Sequence, residues 1–244
     1  NVMDQVIVIA EAGPNHNGKI KLAYKLVDLA KNSGADFVKF QTSIPEAHIS
    51  QFAKKAKYQI KNTGKKQSQL EMSKKMTLSY EQFKLLKKYC KKKNIKFIST
   101  PFDLKSIDFL RKFNMEYFKI PSGEITNLPY LIKVAKLKKK VILSTGMSTL
   151  KEVGKAISVL NSYGTSKKKI TVLQCNTEYP TPLKDVNLKA MISMKKKFGV
   201  EIGYSDHTDG IEASLAAVAL GARVIEKHIT IDQKLSGPDH KASI

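Results

Sequence analysis

Eight short runs rich in β-branched and aromatic residues recur along the chain, separated by stretches with helical periodicity. The runs fall at 6–10, 37–41, 96–100, 117–120, 141–145, 170–175, 201–204 and 223–228. Their starts are mostly spaced by 20 to 30 residues, the length of one strand-plus-helix unit, apart from one step of about 60 between the second and third. Such an alternation constrains the chain to a parallel sheet with helical crossovers, and the even count predicts an α/β protein of the (β/α)₈ TIM-barrel type. A doubly wound sheet is the competing arrangement. It is opposed by the count and by the lack of a GxGxxG turn after the first run.

The intervening stretches carry helix signals. Leu22, Leu26 and Leu29 share a face in 20–32, which stops before Gly34. Ser79 is placed to cap 80–93. Thr149 precedes 150–162, where Val153, Ile157 and Leu160 align. Asp209 precedes 210–220, which ends at Gly221. Segment 43–77 is polar and lysine-rich, and reads as a long loop with short helices of its own. No eighth helix follows the last run. Residues 1–244 therefore read as a single barrel domain whose last helix is missing and which is truncated relative to its natural product.

The strands are apolar early and polar late. A strand buried on both faces should be apolar throughout, and barrel enzymes place their active sites at strand C-termini. Here those ends carry Glu11, Lys39 and Gln41, Thr100, Lys119 with Ser122 and Glu124, Ser144, Gln174, Ser205 with His207, and Glu226 with His228. Residues two apart share a face, so Lys39 pairs with Gln41, Ser205 with His207 and Glu226 with His228. Lys39 and Lys119 are flanked by apolar neighbours, and a lysine inside a strand is costly unless it meets an anion. With the hydroxyls of Thr100, Ser122 and Ser144 they describe an oxyanion pocket suited to phosphate. His207 and His228 end the seventh and eighth strands. Neighbouring strands lie about 4.8 Å apart, so the two imidazoles can share an exchangeable Mn²⁺ or Mg²⁺. Glu11 and Glu124 are the carboxylates best placed to move a proton. Asp239 suits sugar hydroxyls or an ordinary turn. His16 and His240 lie near the expected mouth, and His48 in the long loop has no assigned role.

The formal charge of +22 first suggests a polyanion, and a non-catalytic barrel that binds nucleic acid is the rival reading. All but Arg111 and Arg223 of the 43 basic residues are lysine, which disfavours bidentate base and phosphate recognition. Lysine runs such as Lys91-Lys92-Lys93 and Lys195-Lys196-Lys197 sit at helix ends and connecting loops, where cations are favoured and mostly solvated. Cys90 and Cys175 form no CxxC motif, and Asn1-Val2-Met3-Asp4 has no apolar leader core. A cytoplasmic setting without a membrane span is expected.

The ordered motifs resemble the sialic acid synthase family. They are Glu11-Ala12-Gly13-Pro14-Asn15-His16-Asn17-Gly18, Val38-Lys39-Phe40-Gln41-Thr42, Ser99-Thr100-Pro101-Phe102-Asp103, Lys119-Ile120-Pro121-Ser122-Gly123-Glu124, Leu143-Ser144-Thr145-Gly146-Met147, Tyr204-Ser205-Asp206-His207-Thr208, Glu226-Lys227-His228 and Gly237-Pro238-Asp239-His240. The resemblance implies condensation of phosphoenolpyruvate with an open-chain N-acyl-mannosamine-type sugar and release of phosphate. It further implies Mn²⁺, with Mg²⁺ or Co²⁺ as substitutes, on His207 and His228. Phosphoenolpyruvate would bind Lys39, Thr100, Lys119, Ser122 and Ser144, with Gln41 shaping the floor. Glu11, Tyr179 and Asp239 would face the sugar, and Glu124 would handle protons or the attacking water. The full-length form would be a homodimer with a C-terminal antifreeze-like domain that this chain lacks. N-acetylneuraminate synthase is the first expectation, and a legionaminic or pseudaminic acid synthase acting on a 2,4-diacetamido sugar is the alternative.

Overall fold

A computed structural model describes residues 5–244, so residues 1–4, read above for a leader, lie outside the described residues. The elements run β1 (Ile7–Gly13), α1 (Ile20–Asn32), β2 (Phe37–Thr42), α2 (Pro45–His48), α3 (Lys57–Thr63), α4 (Gln69–Met76), α5 (Tyr80–Lys92), β3 (Lys96–Pro101), α6 (Leu104–Leu110), β4 (Tyr117–Ile120), α7 (Leu128–Ala135), β5 (Lys140–Ser144), α8 (Leu150–Ser162), β6 (Ile170–Cys175), α9 (Lys189–Phe198), β7 (Glu201–Asp206), α10 (Glu212–Ala219) and β8 (Val224–His228). The strands pair in parallel in the order β3-β2-β1-β8-β7-β6-β5-β4, and the two end strands lie against each other. This is the expected (β/α)₈ barrel, nearly closed. No helix among the described residues is long and apolar enough to cross a membrane.

The two-residue period of the strands builds the interior in layers. Ile9, Phe37, Ile98, Tyr117, Ile142, Leu173 and Val224 form one apolar cluster inside the barrel. Two residues further along the same strands stand Glu11, Lys39, Thr100, Lys119, Ser144, Cys175 and Glu226. The apolar layer is thus the floor on which the charged layer rests. Outward positions such as Val38, Phe40, Phe118, Val141 and Val172 pack against Leu26, Phe83, Leu86, Leu131 and Leu160 of the surrounding helices.

β7 contributes Gly203 to the floor, where a side chain has no room. An added Cβ would meet the Val224 carbonyl oxygen and lie 2.6 Å from a Leu173 methyl. Gly203→Ala is expected to destabilise the barrel by about 3 kcal/mol, the upper part of the overpacking range. Thermal melting should then fall by roughly 6–12 °C. An unchanged melting temperature would show that the β7–β8 seam can open.

Local signals behave as expected at two helices. Ser79 and Gln82 form a reciprocal cap on α5, and Thr149 and Glu152 do so on α8. α10 differs: Ile211, not Asp209, precedes it, and the Glu212 carboxylate accepts the Ile211 N–H at 2.9 Å. Segment 43–77 folds into α2, α3 and α4 over the barrel mouth. Among the described residues no α-helix follows β8. The tail instead returns to the barrel rim, where the Ile244 N–H reaches the His228 carbonyl at 2.9 Å. Asn15 Nδ2 donates to both the Ile229 carbonyl and Ser243 Oγ. This return delivers Asp239 to the mouth.

Candidate active site

A cavity of about 200 Å³ opens above the charged layer. Its walls include Glu11, Lys39, Thr100, Lys119, Ser122 and Ser144. Gln41, Tyr179, Ser205, His207, Glu226 and His228 line it as well. Sequence reasoning therefore brings together most of its intended set. Two members stand apart. Glu124 is not among the lining residues; its carboxylate accepts from Asn127 Nδ2 at 2.6 Å. Asp239 lines an adjoining chamber, with its Oδ2 3.9 Å from His228 Nδ1.

The two lysines are not free anion receptors. Lys39 Nζ lies 2.9 Å from Glu11 Oε2, donates to Thr100 Oγ1 at 3.1 Å and stands 3.7 Å from Glu226 Oε2. Lys119 Nζ donates to both Glu226 oxygens, at 2.8 and 2.9 Å. Ser205 Oγ donates to the same carboxylate at 3.0 Å, and Gln41 Nε2 donates to Glu11 at 3.0 Å. All four charged groups are buried, so two ammoniums and two carboxylates balance. Glu226 enters the sequence reading only as the face-mate of His228. Its role as counter-ion depends on a contact across the barrel.

Environment sets the protonation of these groups. Burial opposes charge on Glu226, but the ammoniums of Lys119 and Lys39 outweigh it and hold the carboxyl well below the usual range. Burial, reinforced by the charge of Glu226, raises the Glu11 carboxyl despite Lys39. Burial favours losing the proton from Lys39, yet its two carboxylate neighbours leave it raised. For Lys119 burial prevails and the direction is down. Burial and the Glu11 charge push Asp239 up to about 7.

Between β7 and β8 two imidazoles face each other, with ring centroids 5.5 Å apart. His207 Nδ1 donates to the Asn176 carbonyl at 2.6 Å, which leaves the lone pair on Nε2. His228 Nδ1 is buried without a hydrogen-bond partner. Burial lowers both imidazoles to about 3, helped by the partner ring at His207 and by Lys39 at His228. Two neutral rings, with His228 Nδ1 unpartnered and His207 Nε2 in only a long 3.5 Å contact with Ser205 Oγ, fit a divalent cation, although no three His, Cys, Asp or Glu side chains gather as a metal cage among the described residues. The Tyr179 ring stacks on His207 at 4.0 Å and closes one wall. Behind the strand, Lys227 Nζ pairs with Asp206 at 3.2 Å and donates to the Thr208 carbonyl at 2.9 Å, which pins the turn carrying His207.

The remaining histidines are engaged elsewhere. His240 bridges Thr230 and Asn17. His16 Nδ1 accepts the Gly18 N–H at 3.1 Å. His48 lies tilted against Phe102, ring centroids 5.7 Å apart, and lines the adjoining chamber.

A (β/α)₈ barrel with a charge-balanced polar cavity at its C-terminal mouth is the class that fold and site define. The chain belongs to the NeuB family, whose model matches residues 26–244. It is 57% identical over 242 residues to the N,N'-diacetyllegionaminic acid synthase of Campylobacter jejuni, covering 99% of this chain and 72% of that relative. A synthase of the same name from Legionella pneumophila is 48% identical, covering 97% of this chain and 67% of its own. The solved N-acetylneuraminic acid synthetase of Leptospira borgpetersenii superposes with a TM-score of 0.85 at 35% identity, covering 98% of this chain and 78% of that one.

Proposed function

We propose that the full-length protein condenses phosphoenolpyruvate with an open-chain 2,4-diacetamido sugar to form a legionaminic-type acid. The observation that carries this reading is the convergence of Lys39 and Lys119 with the Thr100, Ser122 and Ser144 hydroxyls in one buried cavity beside two neutral imidazoles. The 57% identity to a diacetyllegionaminic acid synthase supports that branch over N-acetylneuraminate synthase.

In this reading the phosphate and carboxylate of phosphoenolpyruvate take the place of the internal carboxylates on the two lysines. Its C3 bonds to the sugar aldehyde carbon, water adds at C2, and loss of phosphate leaves the 2-keto acid. Holding two anionic groups within reach of the aldehyde is mostly positioning. His207 and His228 would hold the divalent cation, Mn²⁺ by expectation, which supplies Lewis-acid polarisation when bound. Glu11, with its raised carboxyl, is the cavity group suited to carry a proton between steps. Glu124 would reach the chemistry only through a change in its bond to Asn127. Tyr179 walls the sugar side, and Asp239 is placed for a sugar hydroxyl.

The test uses the full-length protein with Mn²⁺, phosphoenolpyruvate and either sugar, following phosphate release and product mass. Sugar-dependent phosphate release and a nine-carbon or longer keto acid are expected. Salt-steep nucleic-acid binding without any product would instead support the polyanion-binding reading.

A further inference from the structure

A second chamber of about 250 Å³ adjoins the active-site cavity, and α2, α3 and α4 supply its outer walls. Tyr179 lines both volumes and so stands in the partition between them. It belongs to an irregular loop, residues 176–182, with no strand or helix to fix the angle of its ring. That loop wraps His207. The Asn176 carbonyl accepts from Nδ1 at 2.6 Å, and the Thr181 N–H donates to the His207 carbonyl at 2.8 Å. A single hydrogen bond to an imidazole settles its tautomer but lets the ring plane tilt about that bond. The face of Tyr179, 4.0 Å from the His207 ring and inclined by 29°, restricts the tilt. The same ring meets His228 at right angles, with centroids 5.7 Å apart. Both imidazoles are therefore framed by Tyr179.

Support for Tyr179 comes from the roof. Tyr58, in the first turn of α3, stacks on it with centroids 5.1 Å apart and planes inclined by 24°. Rings from α3, from the 176–182 loop and from the end of β7 thus form one near-parallel series of Tyr58, Tyr179 and His207. Such pairs have orientation-dependent stability beyond the area they bury. α3 is itself braced. Lys55, a buried lysine, donates to Thr63 Oγ1 and to the Gly64 carbonyl at the end of the helix. Asn62 Nδ2 donates to the Pro238 carbonyl at 2.7 Å, which ties α3 to the tail that carries Asp239. No residue of α3 lines the cavity of the two lysines. The helix therefore acts on the imidazole side of the mouth, through Tyr179, and leaves the anion pocket alone.

We propose that Tyr58 is a positioning residue for the imidazole pair: its ring holds Tyr179 flat against His207, so that the crossover between β2 and β3 sets the aim of the nitrogens offered to a divalent cation. The assignment rests on the synthase reading above and deepens it. The contact that matters is between ring faces, so the Tyr58 hydroxyl is dispensable and the aromatic plane is not. Groups that orient a metal-binding imidazole from outside typically change metal affinity when they are lost. Tyr58 would act one ring further out, with Tyr179 as the intermediary.

The experiment measures Mn²⁺ affinity of the full-length protein by the paramagnetic signal of the free ion, together with kcat, KM for phosphoenolpyruvate and thermal melting. Tyr58→Ala is expected to weaken Mn²⁺ binding by about tenfold, the low end of the range for a lost outer partner. Its kcat at limiting Mn²⁺ should fall in parallel, with KM for phosphoenolpyruvate unchanged. Tyr58→Phe, which keeps the ring and loses the hydroxyl, should recover most of the affinity. Wild-type Mn²⁺ affinity in Tyr58→Ala overturns the proposal and leaves the synthase reading intact. So does a Tyr58→Phe variant as impaired as Tyr58→Ala, since the hydroxyl and not the stack would then matter. A Tyr58→Ala variant that loses phosphoenolpyruvate binding and Mn²⁺ binding alike, with lowered melting, overturns it as well, because α3 would then serve the fold of the whole mouth. A wild type that neither binds Mn²⁺ nor releases phosphate overturns both readings.

Discussion

Lys119→Met is expected to lower kcat/KM for phosphoenolpyruvate in the full-length protein by about a thousandfold and to destabilise the fold. The two effects have different origins and can be separated. Lys119 gives two short hydrogen bonds to Glu226, and both side chains are about 95% buried. Removing one partner of a buried pair strands the other charge, at a cost of about 3–5 kcal/mol. Glu226 then retains only Lys39, at 3.7 Å, and the Ser205 hydroxyl. The double variant Lys119→Met/Glu226→Gln removes the stranded charge, so melting should return towards wild type. Turnover should not return if, as proposed, Lys119 is one of the two cations that receive phosphoenolpyruvate. Rescue of both properties in the double variant would mean that Lys119 serves the fold alone. Loss of turnover with a restored melting temperature would mean that it binds substrate.

That prediction rests on a contact the sequence does not display. The inward set was legible because a two-residue period fixes which strand residues share a face. Glu11, Lys39 and Lys119 stood out because they are polar at the ends of otherwise apolar strands, and the structure places them one layer above Ile9, Phe37 and Tyr117. Period and spacing do not say which strands face each other across a closed barrel. Lys119 and Glu226 are separated by 107 residues and meet only because β4 and β8 lie on opposite sides of the same mouth. Glu124 shows the opposite failure. Its position after Lys119 suggested the cavity, but the short helical turn Ser122–Glu124 directs its carboxylate to Asn127. The chamber was illegible for a third reason: α2, α3 and α4 sit in a polar segment without strong periodicity, and only their packing over the mouth encloses space. Asp209 does not precede α10 directly, because the helix begins at Glu212, three residues further on.

His207→Ala is the second large effect, and it tests the cation rather than the anion. The Nδ1 bond to Asn176 fixes the tautomer and aims Nε2 at the cavity, while Asp206 and Lys227 hold the turn from behind. Such outer partners set the orientation of a metal-binding imidazole. Without His207, the described residues leave His228 as the one imidazole of the pair, with Asp239 3.9 Å away. Mn²⁺ affinity of the full-length protein, followed by the paramagnetic signal of the free ion, is expected to fall by about 10- to 100-fold or more. Phosphate release should fall by about a thousandfold, since a Lewis acid contributes several kcal/mol to such a step. Asp206→Asn provides the graded comparison. It keeps the ligand, loosens the turn through loss of the Lys227 pair, and should weaken Mn²⁺ binding less than loss of the imidazole does. Wild-type Mn²⁺ affinity in His207→Ala would remove the imidazole pair as the metal site. The neutral rings beside Tyr179 would then act as hydrogen-bonding walls for the sugar, and the two lysines would carry the chemistry of the cavity.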